Sequence, residues 1–233
     1  MNNKYLMVVV VLELLLQFPG LARAQEPEDE KNIEIHGFLM GNYSLRTSDQ
    51  KPEGKEGRNF LLAEERLRLD IFGWTEFIEA SARVKADFLY DHVAQEFDTD
   101  LREAYLDYTT GILDLRLGRQ IITWGVADLL FINDIFPKDY VAFFSGRPLE
   151  YLKIGSDALK IGVYPDFISA ELVVIPIFED NNLPTQDRFL LFDPFPQIQN
   201  RAKEEPNTEI DNTEIALRIF RNIWNFDTSL YTF

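Results

Sequence analysis

The sequence predicts an all-β chain: an antiparallel transmembrane β-barrel wall of about nine strands, incomplete as a barrel, behind an N-terminal signal peptide. Three observations carry that expectation. The chain opens on a short apolar leader. Its body alternates apolar and charged side chains with a period of two. The connections between the alternating segments are short and long in turn.

Residues 1–24 read as the signal peptide. Lys4 gives a weakly positive start, and Tyr5 to Phe18 form an apolar run broken only by Glu13 and Gln17. Pro19 and Gly20 end the run, and Ala22-Arg23-Ala24 supplies the small-x-small cleavage pattern. An uncleaved anchor is the alternative, but a spanning helix needs roughly 20 apolar residues and this run falls short. The mature chain, 25–233, is then the barrel.

The period of two is clearest in the third segment. Ile78, Ala80, Ala82, Val84, Ala86, Phe88 and Tyr90 form one face, and Glu79, Ser81, Arg83, Lys85 and Asp87 the other. Alternate side chains of a strand point to opposite sides, so such a strip has an apolar and a charged face. Nine strips follow this rule: 33–45, 62–72, 77–90, 101–109, 112–122, 158–164, 167–178, 213–221 and 225–233. Lengths near ten residues suit a tilted strand crossing a bilayer. Tyr43, Tyr90, Tyr108 and Trp74 lie near strip ends, where an interfacial aromatic girdle belongs.

Short turns are expected around 73–76, 110–111, 165–166 and 222–224. Long connections are expected at 46–61, 91–100, 123–157 and 179–212. Outer-membrane barrels show this asymmetry between tight periplasmic turns and longer external loops. With the N-terminus in the periplasm, the ninth strip ends on the opposite side. Single-chain bacterial barrels hold an even strand number, so the sequence reads as truncated at the C-terminus.

Composition narrows the function classes. The chain has 233 residues, no cysteine, two histidines and a formal net charge of −16. Thiol catalysis and cysteine-ligated metal sites are excluded. The acidic balance argues against nucleic acid as a partner. No GxSxG elbow or phosphate-loop pattern is present, and neither His36 nor His92 has a partner at metal-ligand spacing. The sequence therefore predicts no enzyme, no cofactor and no metal.

One region is more specific. Leu101-Arg102-Glu103-Ala104-Tyr105-Leu106-Asp107-Tyr108 is followed by Leu115-Arg116-Leu117-Gly118-Arg119-Gln120-Ile121-Ile122-Thr123-Trp124-Gly125-Val126-Ala127-Asp128. With Asn133-Asp134 and Pro137 to Tyr140, this block resembles a family of largely uncharacterised porin-like outer-membrane proteins of Gram-negative bacteria. Alginate-export-type barrels are a looser match. The likeness covers residues 101–140; outside it only the barrel pattern is shared. It implies a barrel with a channel or uptake role and brings no catalytic residues. The implied partners are outer-membrane lipid, the barrel-assembly machinery, a small solute and further copies of the chain.

If the charged faces line the lumen, Arg66, Arg68, Arg83, Lys85, Glu103, Asp107, Asp114 and Arg116 are the candidate selectivity residues, with Glu64, Asp70, Glu79, Asp87, Glu171, Glu214 and Arg218 beside them. They either bias the passing solute or pair across strands and hold register. The excess of acids points to a slight cation preference. Segment 123–157 exceeds an idle turn. Its Trp124, Asp128, Asp134, Asp139 and Arg147, among several Phe, are expected to form a constriction inside the lumen. The alternative is an external loop with its own small core and a short helix near 127–134. Segment 179–212 carries Pro184, Pro194, Pro196 and Pro206 around apolar residues and is expected to plug the mouth or pack on its neighbour, with contact to a hydrophobic solute as the alternative. The function expected is passage of a small solute across the outer membrane. The alternatives are a soluble periplasmic β-rich binding protein and a non-conducting structural barrel.

Overall fold

The computed structural model describes residues 32–47, 60–75, 77–125, 131–132, 134–186, 188–195, 197–198 and 202–233. The leader at 1–24 and Asp128 lie outside these residues.

All nine strips form strands: β1 (Ile33–Leu45), β2 (Phe60–Thr75), β3 (Ala80–Asp91), β4 (Glu96–Thr110), β5 (Leu113–Gln120), β6 (Ser156–Val163), β7 (Ser169–Ile175), β8 (Glu214–Ile223) and β9 (Phe226–Thr232). A helix, α1 (Tyr140–Ser145), and a 3-10 turn at Leu149–Leu152 lie between β5 and β6. The strands make one sheet in sequence order, and each neighbouring pair is antiparallel. The sheet is not closed: β1 and β9 do not pair with each other.

Register sorts the side chains into two faces. Residues directly opposite on paired strands point to the same side. Arg68 is opposite Asp87, Asp70 opposite Lys85, Lys85 opposite Glu103, and Asp107 opposite Arg116. One face therefore carries the charges. The other carries Leu39, Leu67, Leu69, Val84, Phe88, Leu115, Leu117, Ile161, Leu172, Leu217 and Leu230. Burial follows the reverse of the usual order. Leu39 is 77% exposed, Leu67 51% and Leu230 71%, while Arg66 is 3% and Asp87 0% exposed. A water-soluble sheet buries its apolar face against another layer; this one covers its charged face.

Four expectations about element ends are corrected. The β2–β3 turn lies at 77–79, later than the expected 73–76, with Glu79 at φ 48. Ile78 and Glu79 therefore belong to a turn and not to a strand face. Trp74 stays in β2, opposite Ser81, on the face of Asp70 and not on the apolar face a girdle needs. The connection expected at 91–100 is a tight turn at 92–95, so the short and long connections do not alternate strictly. Asp91 builds that turn: its Oδ1 accepts the backbone N–H groups of Val93 (2.8 Å) and Ala94 (3.1 Å). β7 stops at Ile175, short of the expected 178, because Pro176 has no N–H for the ladder.

Two backbone features matter for the charged face. The β3–β4 ladder slips between Lys85 and Ala86, leaving Arg102 as the extra residue of a bulge. In β5, Gly118 sits at φ 129. A Cβ there would stand 2.3 Å from the Ala104 carbonyl oxygen and 2.9 Å from the Tyr105 Cα. Only glycine fits.

Candidate functional site

Cross-strand ion pairs run over the charged face. Arg83 grips Asp70 with Nε (2.9 Å) and Nη2 (2.6 Å), and Arg116 grips Asp107 the same way (2.6 and 2.8 Å). Lys85 reaches Glu103 at 2.7 Å. Arg68 donates twice to Asp87 (2.6 and 2.8 Å), and Arg66 adds a third bond to the same carboxylate at 2.9 Å. Arg116 also lies over the Tyr105 ring, 4.1 Å from its centroid. Two-point Arg–carboxylate contacts fix orientation as well as charge. Of the eight candidate selectivity residues, Asp114 alone has no ion-pair partner among the described residues, and of the acids beside them Glu79 and Glu214 have none; Asp114 is half-buried.

The cover comes from the β5–β6 connection, held at both ends on the charged face. At one end Trp124 is 3% exposed. Its Nε1 donates to Glu171 of β7 at 2.9 Å, and its ring meets Phe136 at 5.0 Å and Tyr231 of β9 at 5.7 Å. Ile122, Ala158, Val173, Ile175 and Ala216 complete this cluster. At the other end Tyr151 is 2% exposed. The guanidinium carbons of Arg66, Arg68 and Arg102 lie 4.3, 5.1 and 5.1 Å from its ring centroid, and Arg68 Nη2 donates to its hydroxyl at 3.0 Å. Burial, then the nearby Asp87 charge, push the Tyr151 phenol up to about 12. Glu150 pairs with Arg68, and Arg147 pairs with Glu64 at 2.7 Å. The segment thus runs from β6–β9 to β2–β4 across the face that carries the charges.

Between these anchors the loop supports itself. Asp139 caps α1, its Oδ1 accepting the Ala142 N–H at 2.6 Å. Asp134 accepts from Thr123 Oγ1 (2.9 Å) and lies 3.1 Å from Lys138 Nζ. Lys138 is buried, also donates to the Phe136 carbonyl at 2.5 Å, and burial holds its amine below the usual lysine range. Phe131, Phe143 and Met40 pack around Ala142, Tyr151 and Leu152. Among the described residues of this segment the α-helix lies at Tyr140–Ser145; most of the stretch 127–134, where a short helix is the alternative expectation, lies outside them. A small core of the loop's own and its placement on the charged face occur together.

The expected constriction residues divide accordingly. Trp124 and Arg147 are anchors to the sheet. Asp134 and Asp139 order the loop itself. The second long segment, 179–212, joins the first: Asn182 N–H donates to the Lys138 carbonyl and Tyr140 N–H to the Asn182 carbonyl, both at 2.9 Å. Its Arg188 donates to the Leu61 carbonyl at 3.0 Å and pairs with Asp91. Phe192, 90% exposed, and its apolar neighbours stay largely uncovered.

A cleft of about 620 Å³ is left between the loops and the upper parts of β3 and β4. Arg102, Tyr151 and Arg188 line it and Glu150 lies beside Tyr151; none is a candidate site residue in the sequence, although Arg102 stands in the 101–108 block. Arg102 falls out of phase because of the bulge. Its Nη2 donates to the carbonyls of Glu150 (2.6 Å) and Lys153 (3.1 Å). The other three act through non-local contacts. A signal for the upper part of β4 was present: Glu96, Asp98 and Asp100 alternate with Phe97, Thr99 and Leu101.

No family model matches the chain, and a search of curated proteins finds no match. Among the described residues no helix is long and apolar enough to cross a membrane, which says nothing of a crossing by strands. No group of three His, Asp or Glu that could hold a metal ion occurs among them.

Proposed function

We propose that this chain forms the wall of an outer-membrane β-barrel and provides a passage for a small solute, with residues 131–155 as the constriction. It reaches the outer membrane behind a cleaved leader and is folded there by the barrel-assembly machinery. The carrying observation is the inverted burial: nine strands leave a predominantly apolar face exposed, with Glu65 and Arg221 toward its edges, and cover a face of paired charges. Hydrocarbon can meet the first face, and only water or polar loops can meet the second. The loop clamped across the charged face adds to this, since charges beside a narrow aqueous path bias what enters. The likeness of residues 101–140 to porin-like proteins points the same way.

Planar-bilayer recording tests the reading. The full chain refolded into lipid is expected to give discrete conductance steps, and deletion of residues 131–146 is expected to enlarge them. Absence of steps from chain that fractionates with outer membrane refutes the passage and leaves a structural barrel. Recovery in the soluble periplasmic extract refutes the barrel.

A further inference from the structure

We propose that the passage selects small cations, and that Glu96 and Asp98 at its loop end and Asp114 and Asp227 at its opposite end set that preference. This deepens the passage reading by naming the solute class and the residues that choose it, and it rests on that reading.

The charges of the covered face fall into two groups. In the first, acid meets base. Among the described residues, every arginine and lysine that the strands place on this face has a carboxylate oxygen no farther than 3.8 Å, the distance from Arg218 to Glu171. The loops' Lys138, Arg147 and Arg188 are paired as well. A closed pair leaves a dipole, whose field fades with distance faster than that of a lone charge. No described base of the face is left over to attract an anion.

The second group is acidic throughout. Asp98 is opposite Leu89 and Glu96 opposite Asp91, which sets both on the face of Asp87. Both are exposed and line the 620 Å³ cleft. Glu96 has no bonded partner among the described residues, and Asp98 accepts only the Thr99 N–H, at 2.8 Å. The arginines of the cleft do not offset them. Each already holds a carboxylate, and Arg66 and Arg147 hold Asp87 and Glu64, which lie outside the lining. At the opposite end Asp114 is set between Thr109 and Gly162, on the face of Asp107 and Arg116. Asp227 stands opposite Asn222, on the face of Arg218, and accepts from Asn222 Nδ2 at 2.9 Å. Neither has a base beside it among the described residues. The surplus of acids that the sequence spreads over the whole face is thus concentrated at two rims. Carboxylates beside a narrow aqueous path enrich cations and exclude anions.

Zero-current potentials across a planar bilayer holding the refolded full chain, in a steep KCl gradient at low ionic strength where fields are least screened, test this. Potassium is expected to permeate about sevenfold better than chloride, the ratio that a mean potential of about −1 kT produces. Glu96→Gln combined with Asp98→Asn is expected to lower that ratio at least about twofold. Both side chains are exposed, so the fold tolerates the exchange. Glu65→Gln removes the same charge from the apolar face and is expected to leave the ratio unchanged. Chloride permeating as well as potassium, or better, overturns the proposal. So does an unchanged ratio in the double variant, or an equal fall in Glu65→Gln. Conductance steps without cation preference remove the selectivity and leave the passage standing; absence of steps overturns both.

Discussion

Tyr151 is the point at which the loop's hold on the sheet can be released without touching a strand. Tyr151→Ala removes a side chain that is 2% exposed. Truncating a buried aromatic costs about 3–5 kcal/mol. Three guanidinium–ring contacts at 4.3–5.1 Å and one hydrogen bond at 3.0 Å are lost with it. Each such ring contact contributes about 0.5–2 kcal/mol and the bond about 1 kcal/mol, and these overlap with the burial term. A net loss of about 4 kcal/mol is expected, close to a thousandfold in the open-to-closed ratio of this end of the loop. Glu150–Arg68 and Arg147–Glu64 remain, so the loop loosens and does not leave. Hydrogen exchange should show lost protection confined to residues 139–154, with the β1–β9 ladders unchanged. Single-channel conductance should rise. Unchanged protection together with unchanged conductance refutes the idea that this residue closes the loop on the sheet.

Asp87→Asn leaves two buried guanidiniums around a neutral amide, and an orphaned buried charge costs about 3–5 kcal/mol; urea unfolding in lipid should show a lowered midpoint, and a change below about 0.5 kcal/mol refutes the central place of this carboxylate. Gly118→Ala drives a methyl into the Ala104 carbonyl and is expected to cost about 2–3 kcal/mol, read from the same unfolding curve; Leu117→Ala, on the exposed face, serves as a control with little strain. The phenol of Tyr151 is raised from 10.0 to about 12, so the folded state favours its neutral form. Its stabilising share is complete below pH 10 and is lost as pH climbs through about 12. Alkaline unfolding curves of wild type and Tyr151→Phe should therefore converge above that range; parallel curves refute the assignment.

The strands were legible in the sequence because alternation is a local property. Strips such as Ala80 to Tyr90 needed no knowledge of their neighbours. The pairs Arg83–Asp70 and Arg116–Asp107 were foreseeable as opposite charges on facing strips. The errors arose where local phase was interrupted. At Glu96 to Leu101 the polar residues resembled a loop, although they alternate, because the bulge after them resets the parity. At Ile78 and Glu79 alternation ran on into a turn, since a positive φ leaves no trace in a hydrophobic pattern. Tyr151, Glu150 and Arg188 owe their places to partners some 80–130 positions away in the chain. No spacing rule reaches that far. The loop's aromatic content suggested order, but not which ring would sit among three arginines.

The extra residue at Arg102 acts as a phase-shifter within a single strand. On either side of it β4 follows opposite odd-even rules, so Glu96, Asp98 and Asp100 join Glu103 and Asp107 on one side of the sheet. Removing one amino acid there would leave the composition almost untouched. It would nonetheless rotate half a strand by two right angles, turning three carboxylates onto the apolar face and Phe97 and Leu101 onto the charged one. At this position the length of the chain, more than any single side chain, keeps the charged and the apolar side chains of β4 on opposite faces of the sheet.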